Sequence, residues 1–506
     1  MSLGKHSLGG SLGAALLALL LGPWTSMADE AGSGPIPARP EGLSFSPLEF
    51  KVPEAKRYEH ALKDGTPVFI AEDHSLPLIQ ISLTFRAGSF QDPAGKTGLA
   101  AMTGTLLRAG GTREMSADAF DERAEFLAAR IGSYGADVRS GANMSCITPV
   151  FDECLDLFFE MVRTPGFDAD RLEIEKGKTL EAMKQRNDDG QAILSREWDW
   201  LFYGDHFSGR RTTKADLDSI TRQDLVEFHR RNWHPDRLIV SVSGDVDRKA
   251  LLARLESEIA GWPDSGEASP WPPPLPRHRP EPGLYFVDKD IPQGKVYIGH
   301  RSFQIEDWNH PDLPALRVMN RILGGGGFSS RIVKRVRSDE GLAYSAGSAF
   351  LEEPFWPSQF RIQYQSKSAT VSLAAKLALE QVHSLQDEAV SAEELSLAKT
   401  SLVDTFPRRF ESARQIAGTY AFDELLGRDS EYWQDWRRKI QAVRAQDVQR
   451  VARQYLRPDE MIFLVVGNWA DISAGDPDRR ASFEELVKGT PERLPLRDPL
   501  TLKPIE

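Results

Sequence analysis

The pattern of apolar and polar positions predicts a chain that mixes strands with helices. Apolar residues alternate with polar ones over Ile79–Phe85, and the same alternation returns over Phe360–Tyr364. A period of two is typical of a strand that buries one face and turns the other to water or to a cavity. Both halves of the chain are therefore expected to contain sheets covered by helices.

Helix signals lie between the predicted strands. Ser116 is a suitable N-cap for a helix whose apolar residues recur every three or four positions as far as Ile131, and Gly132 would stop it. Ser391 opens a Ser-x-x-Glu sequence ending at Glu394, which is the form of a capping box.

The two halves repeat one pattern at a distance of 223 residues. Gln223–Gly244 and Gln446–Gly467 each run through Gln-Asp, an arginine, a Pro-Asp turn and an apolar strand that ends in glycine. The order is unbroken and the element types match, which favours duplication over chance. We therefore predict an α+β fold of two homologous domains, each a mainly antiparallel sheet backed by helices and joined by a Pro-rich linker.

Prolines and one apolar run set the predicted boundaries. The dense prolines of residues 264–283 favour an extended, semi-rigid linker. Near the N-terminus, Lys5 precedes ten apolar residues and a small-x-small exit at Ser26–Ala28, which is typical of a signal peptide. The predicted segments are a signal peptide 1–28, a linker 29–45, a first domain 46–263, the hinge 264–283, a second domain 284–490 and a tail 491–506.

The ten-residue apolar run bears on where the protein resides. It is shorter than the ~20 residues that a membrane span needs. We expect export, with the periplasm as the destination and no stable membrane span after signal cleavage; an uncleaved N-terminal anchor is the alternative. In an exported chain Cys146 and Cys154 could form a disulfide or remain two buried thiols, and the sequence leaves both open.

Composition narrows the classes of function. A length of 506 residues exceeds one core and fits two to four domains. The net charge of −12 argues against nucleic acid as a partner. Gly95-Lys96-Thr97 lacks the earlier glycine of a phosphate-binding loop, and no Gly-x-Ser-x-Gly elbow is present.

The ten histidines offer no pair at the helical spacing of three or four that a zinc site needs. His229 and His234 are five residues apart, so we interpret them as helix-end and turn residues. His206 is interpreted as a loop or packing residue.

Residues 79–100 carry a resemblance to a known family. The strand Ile79–Phe85 is followed by Arg86–Ser89 and then by Asp92–Ala100, which ends in Gly-Leu-Ala. In this order the chain resembles the pitrilysin/insulinase family of zinc metallopeptidases, in its bacterial processing-peptidase-like branch. The resemblance extends over nearly the whole mature chain. In catalytic members it implies a helix carrying His-x-x-Glu-His, with two zinc-binding histidines and a glutamate that activates water.

This chain departs from that pattern at each metal position. The family's two histidines fall on Ala101 and Thr105, its glutamate on Gly104 and its third ligand on Ala182. The apolar face of the helix is kept, so we expect the scaffold without its metal. The resemblance therefore implies no cofactor in this chain.

Acidic residues near Ala182 do not replace the missing ligand. Glu181 is its neighbour, and Glu175 matches a supporting acidic position of the family. One carboxylate cannot hold zinc without the histidine pair.

The second half keeps the residues that the family places opposite its zinc. Arg337 and Tyr344 match the family's arginine–tyrosine spacing. The resemblance implies that they hold the substrate carbonyl and stabilise the oxyanion, where one donor is worth ~3–4 kcal/mol. The alternative is an arginine paired with Asp339 or Glu340 and a tyrosine packed in a strand.

A run of glycines precedes this pair. Gly324, Gly325, Gly326 and Gly327, followed by Phe328, are predicted to bind substrate as a loop that an extended peptide can approach. The other interpretation is a tight helix–helix connection that requires positive φ.

The resemblance thus implies a noncatalytic subunit of a heterodimeric zinc metallopeptidase. The partner would carry His-x-x-Glu-His and zinc, and the substrates would be peptides or unfolded segments that add to a sheet edge. The alternative is a non-enzymatic structural or peptide-binding protein on the same scaffold. A third hypothesis, an autonomous peptidase with substitute ligands, has the least support.

Overall fold

The computed structural model describes residues 49–262 and 271–505. The predicted signal peptide 1–28 and linker 29–45, and the first part of the predicted hinge, lie outside the described residues. The domain boundaries stay a prediction. Within the described ranges, no helix is both long enough and apolar enough to cross a membrane.

Twelve strands of the described chain form two sheets of six. The strands are β1 (Glu59–Ala61), β2 (Pro67–Glu72), β3 (Leu78–Phe85), β4 (Arg130–Gly135), β5 (Ser140–Ile147), β6 (Leu238–Gly244), β7 (Gly283–Asp288), β8 (Gln293–Arg301), β9 (Ala343–Phe350), β10 (Gln359–Lys367), β11 (Ile462–Gly467) and β12 (Glu492–Arg493).

Helices cover both sheets. They are α1 (Leu99–Ala109), α2 (Ala117–Phe126), α3 (Phe151–Arg163), α4 (Ala169–Lys184), α5 (Gly190–Tyr203), α6 (Lys214–Ser219), α7 (Arg222–Asn232), α8 (Arg248–Ile259), α9 (Leu313–Asn320), α10 (Val371–Asp387), α11 (Ala392–Thr405), α12 (Ala413–Leu426), α13 (Tyr432–Ala442), α14 (Ala445–Tyr455), α15 (Trp469–Ser473) and α16 (Phe483–Leu486).

The order of the strands confirms the predicted duplication. The first sheet runs β1-β2-β6-β3-β5-β4 and the second β12-β7-β11-β8-β10-β9. The pairs β2–β6 and β7–β11 are parallel, as is the short pair β12–β7, and the other strand pairs are antiparallel. The α+β prediction of two mainly antiparallel sheets backed by helices is therefore confirmed.

The alternation predicted for β3 and β10 is confirmed, because buried residues alternate with partly exposed ones along most of both strands. β2, β6 and β11, in contrast, are buried on both faces. The reason is that each half contributes a helix to the sheet of the other half. Helix α5 of the first half packs on β8 and β11, and α12 of the second half packs on β2 and β6. Side chains of both halves therefore share cores; Trp198 of α5, for example, packs in one cluster with Leu464 of β11.

The helix predicted from Ser116 to Gly132 is also corrected. Ser116 does cap α2, accepting a hydrogen bond from the N–H of Ala119, but the helix ends at Phe126. Ala128 then takes a positive φ of 49°, which breaks the helix. Ile131 and Gly132 belong to β4, because their backbone groups pair with β5. The capping box at Ser391 is confirmed, with reciprocal bonds to Glu394.

Candidate functional site

Helix α1 begins at a fixed point of the first half. The carboxylate of Asp92 accepts hydrogen bonds from the N–H groups of Gly98, at 2.7 Å, and Ala100, at 2.8 Å. Burial, with a contribution from the nearby Asp137, raises the pKa of Asp92 to about 7. The predicted motif positions follow one turn later on this helix.

The helix carries no metal-binding side chain at these positions. Ala101 and Thr105 are exposed, whereas Gly104 is buried against β4. A Cβ atom at Gly104 would lie 2.1 Å from the backbone N of Gly135 and 2.2 Å from the backbone C of Tyr134. The strand backbone thus occupies the direction in which the family's glutamate would extend.

Both α1 and β4 have a glycine where they contact each other. A Cβ atom at Gly135 would lie 2.1 Å from the carbonyl oxygen of Ala100, so the strand also needs a glycine here. The hydroxyl of Ser133 donates a hydrogen bond of 2.6 Å to the carbonyl of Gly104. These contacts join the helix and the strand backbone to backbone.

The predicted third position fits a metal no better. Ala182 is an exposed residue of α4. Glu175 pairs with Lys178 and Glu181 pairs with Lys184, each at 2.6 Å. Within residues 49–262 and 271–505, no three His, Cys, Asp or Glu side chains are placed to share a metal ion. A tetrahedral zinc needs four ligands, and these positions do not fit one.

The histidines singled out from the sequence have structural partners. His229 is buried and donates from Nε2 to the carbonyl of Val162 at 2.7 Å, and burial lowers its pKa to about 4. His234 bonds the carbonyl of Arg230. The Nε2 atom of His206 lies 2.8 Å from the carbonyl of Pro274, in the Pro-rich segment.

The two cysteines are free thiols. Cys146 on β5 and Cys154 on α3 are both buried. Burial, together with the neighbouring Cys154, raises the pKa of Cys146 to about 12. A thiol with so high a pKa is a poor nucleophile, so these residues act as core side chains.

The glycine run of the second half forms a tight turn that ends the π-helical segment Arg321–Gly325, which continues α9, and leads to the next helical segment, Val333–Asp339. Cβ atoms at Gly324, Gly325 and Gly326 would lie 2.4 to 2.7 Å from Ser348, Asn320 and Arg321. Gly327 has a positive φ of 65° and open space around it. Three of the glycines therefore permit close packing, and the fourth permits the turn.

Arg337, Tyr344 and Phe328 come together beside this turn. Arg337 lies in a π-helical segment, Val333–Asp339, and its guanidinium carbon stands 4.5 Å from the ring centre of Phe328 and 4.7 Å from that of Tyr344. Phe328 is 68% exposed and Tyr344 is 76% exposed. The result is a cation held between two aromatic rings that face solvent.

The alternative of an ion pair at Arg337 does not describe this geometry. Glu340 pairs instead with Arg335, at 3.1 Å, and with Arg480, at 3.0 Å. In the described part of the chain, no carboxylate lies within ion-pair distance of Arg337. Tyr344 does lie on β9, but at the open edge of the second sheet rather than packed within it.

The structure brings some predicted residues together and separates others. Phe328, Arg337 and Tyr344 form one cluster next to the glycine turn, whereas Ala101, Gly104 and Thr105 lie on α1 against the first sheet. Among the described residues no hydrogen bond, ion pair or ring contact joins the two groups. The sequence did not indicate that Gly135 opposes Gly104; the glycines of β4, Gly132 and Gly135, were the available signal.

Known proteins are similar to this chain in sequence. Residues 219–402 match the family model described as the peptidase M16 inactive domain. The chain is 27% identical, over 79% of its length and 92% of the relative's, to the non-peptidase homolog YmxG of Helicobacter pylori.

Solved structures share the fold. A peptidase M16 inactive domain from Pseudomonas fluorescens is similar with a TM-score of 0.72 and 24% identity, covering 81% of this chain and 97% of that one. The periplasmic protease PqqL from Escherichia coli gives a TM-score of 0.69 at 16% identity, covering 87% of this chain but 49% of that one.

Proposed function

We propose that this chain, which belongs to the peptidase M16 family as an inactive homologue, is the noncatalytic subunit of a heterodimeric zinc metallopeptidase. The observation that carries the proposal is the contrast between its two candidate sites. Helix α1 has lost every ligand, and Gly104 leaves no room for the catalytic carboxylate. Arg337 and Tyr344 remain exposed beside the edge strand β9, and the described residues offer the arginine no ion-pair partner.

These two side chains suit a role in holding a peptide carbonyl. A guanidinium and a phenol are both hydrogen-bond donors, and Phe328 restricts the guanidinium from its other face. Donors that are held before the reaction stabilise the oxyanion of an acyl-transfer intermediate. The metal and the activated water would belong to a partner with His-x-x-Glu-His, and this chain would contribute donors and part of the peptide cradle.

The exposed start of the edge strand β9 supports the same role, whereas Asn320 and Gly324 cover the edge farther along, at Ser348. An extended peptide or unfolded segment can add to such an edge through backbone hydrogen bonds. This mode of binding depends little on the side chains of the peptide. Tyr344 sits near the start of that strand. A strand added there would pass beside the Arg337 cluster.

The size of one structural neighbour supports a two-subunit assembly. The match to the periplasmic protease PqqL leaves half of that chain unmatched. We propose that a catalytic partner subunit takes the place of that unmatched half. That neighbour is periplasmic, which supports our proposal that residues 1–28 direct export.

Reconstitution tests the function. We would assay this chain, a chain of similar length from the neighbouring gene that carries His-x-x-Glu-His, and their mixture on an internally quenched fluorescent peptide. We expect cleavage in the mixture alone, reduced at least about tenfold by Arg337→Ala or by Tyr344→Phe, because each removes one oxyanion donor.

Lys334→Ala is the matched control, since Lys334 is an exposed cation of the same π-helical segment. It should leave cleavage unchanged. Full activity of the partner alone would contradict the proposal and favour the non-enzymatic alternative, a structural or peptide-binding protein.

A further inference from the structure

The second half contains a pocket of about 850 Å³, away from the Arg337 cluster, that arginine and aromatic side chains line. It lies between the turn Phe406–Phe410, one face of α12 and helix α13. Five guanidinium groups line it: Arg317, Arg408, Arg409, Arg414 and Arg428.

Two of the five arginines are neutralised by carboxylates. Arg317 forms a two-point pair with Glu352, at 2.5 and 2.6 Å. Arg428 pairs with Asp423 at 2.5 Å, and Asp423 also accepts a bond from the indole of Trp433. These pairs form the buried part of the pocket wall.

The other three arginines are a surplus of positive charge. Arg408, Arg409 and Arg414 are exposed at the pocket rim, and no carboxylate of the described chain lies within ion-pair distance of them. Three uncompensated cations stand together in a chain whose net charge is −12. Their like charges repel, and an anion between them would remove that repulsion.

Arg409 lies against the aromatic wall of the pocket and near the paired Arg428. Its guanidinium carbon stands 4.3 Å from the ring centre of Trp433. Partial burial and the repulsion from Arg428 lower the pKa of Arg409. The cation is therefore held where a bound anion would be favourable.

The pocket continues towards the candidate functional site. A smaller cavity of about 190 Å³ shares Arg317, Glu352 and Leu402 with it and extends to Arg321 and Gly325. Gly325 belongs to the glycine turn that precedes Phe328. The two cavities thus form one groove, which we call the arginine groove, and their volumes leave room for a ligand larger than a single inorganic ion.

The floor of the groove is open at Gly418. Arg414, Gly418 and Phe422 recur every four residues on one face of α12, while Ala417 and Tyr420 on the other face are buried. A Cβ atom at Gly418 would meet no atom within 4 Å. The missing side chain makes room between the arginines and the aromatic wall.

We propose that the arginine groove binds an acidic segment of a peptide, with its carboxylates on Arg408, Arg409 and Arg414. Guanidinium groups match carboxylates in charge and in their two-point geometry. Apolar side chains of the same segment would lie against Trp433 and Trp436. That this peptide is a substrate of the assembly rests on the function proposed above; the binding itself does not.

Fluorescence anisotropy on the purified full chain, without a partner, tests the proposal. The probe is a labelled Glu-Glu-Leu-Glu-Glu-Leu peptide, compared with versions in which glutamine or lysine replaces glutamate. We expect the acidic probe to bind at least about tenfold more tightly than the glutamine version, and the lysine version not to bind. R408Q/R409Q/R414Q should weaken binding of the acidic probe by about tenfold or more.

A matched triple variant separates the groove from general charge. R277Q/R279Q/R493Q removes the same three charges from exposed positions outside the groove. It should retain the affinity of the unaltered chain, and an equal loss in both triple variants would overturn the proposal. Gly418→Phe fills the groove without changing its charge and should also weaken binding; unchanged binding would overturn it as well.

A competition experiment identifies the class of ligand, and a comparison of binding with cleavage shows which of the two proposals is wrong. Pyrophosphate should compete only weakly; a chain that binds pyrophosphate but not the acidic probe would overturn the assignment to peptides. The anisotropy assay involves no cleavage. Binding without cleavage in the reconstituted mixture therefore refutes the proposed function alone, and cleavage without binding refutes the groove alone.

Discussion

Glycines have different consequences on helix α1 of the first half and in the glycine turn of the second half. On α1, Gly104 brings the helix against the backbone of β4, so the position that carries the family's base holds no side chain. In the second half, Gly324 packs against Ser348 in the same manner, yet the turn displays Phe328 beside Arg337 and Tyr344. Close packing thus leaves no room for a side chain in the first half, whereas in the second half it lies next to an exposed cluster of one arginine and two aromatic rings.

The comparison shows that the space of the missing zinc motif is not vacant, because backbone atoms of β4 fill it. Glycines on both α1 and β4 have let the two backbones come together where a catalytic side chain would need room. Restoring His-x-x-Glu-His on α1 would therefore require the helix and the strand to separate.

The largest expected effect comes from Gly104→Ala. Its Cβ would lie 2.1 Å from the backbone N of Gly135, and backbone cannot give way as a side chain can. We expect a loss of about 3 kcal/mol or more in the free energy of unfolding, measured by urea denaturation. Gly418→Ala on α12 is the control: it meets open space, and we expect a gain of about 0.5–1 kcal/mol. Equal effects at the two glycines would contradict the close contact of α1 with β4.

Gly324→Ala tests the other half of the comparison. A Cβ 2.4 Å from the backbone N of Ser348 should cost about 1–3 kcal/mol in unfolding free energy and displace the turn. Gly327→Ala lies in open space and meets only the strain of its φ of 65°, about 1–2 kcal/mol. In the reconstituted assay Gly324→Ala should lower cleavage more than Gly327→Ala does. The reverse order would show that the turn acts through flexibility instead.

Two carboxyl groups, one in each half, predict a pH effect on stability. Burial, with Asp137 nearby, raises the pKa of Asp92 to about 7 and that of Glu353 to about 7. In the folded state each of these carboxyl groups keeps a proton that it loses near pH 4 in the unfolded state. Their contribution to the free energy of unfolding is therefore complete below pH 4 and is lost as the pH rises through about 7.

The shift in urea midpoint between pH 5 and pH 8 measures this effect. It should be smaller in Asp92→Asn than in the unaltered chain, and the comparison cancels His229 and His300, whose lowered pKa values give the opposite slope. Glu353→Gln should reduce the shift likewise. A shift that is the same in all three chains would show that neither carboxyl titrates in this range.

The smallest expected effect on stability is that of Arg337→Ala. The side chain stacks on two exposed rings and has no ion pair in the described chain, so its removal should change the free energy of unfolding by about 0.5 kcal/mol or less. Thermal unfolding checks this. Combined with a large loss of reconstituted activity, a small change in stability would sharpen the contrast with Gly104, whose role is packing.

The sequence alone determined the fold class, the duplication and the missing metal ligands. These follow from local features: alternation in Ile79–Phe85, an unbroken repeat of 223 residues, and the identities of Ala101, Gly104 and Thr105. A side chain that is absent cannot bind a metal in any conformation. The family resemblance also singled out Arg337 and Tyr344.

Only the tertiary structure decided which surfaces meet. Helix α5 covers the second sheet and α12 the first, and Gly104 meets Gly135 across thirty residues of chain. The arginine groove combines residues from Phe303 to Trp436, which form no motif along the chain. Hydrophobic periodicity shows that a helix has a buried face but not which sheet covers it, since apolar burial has no direction of its own. That choice depends on the packing of the whole chain.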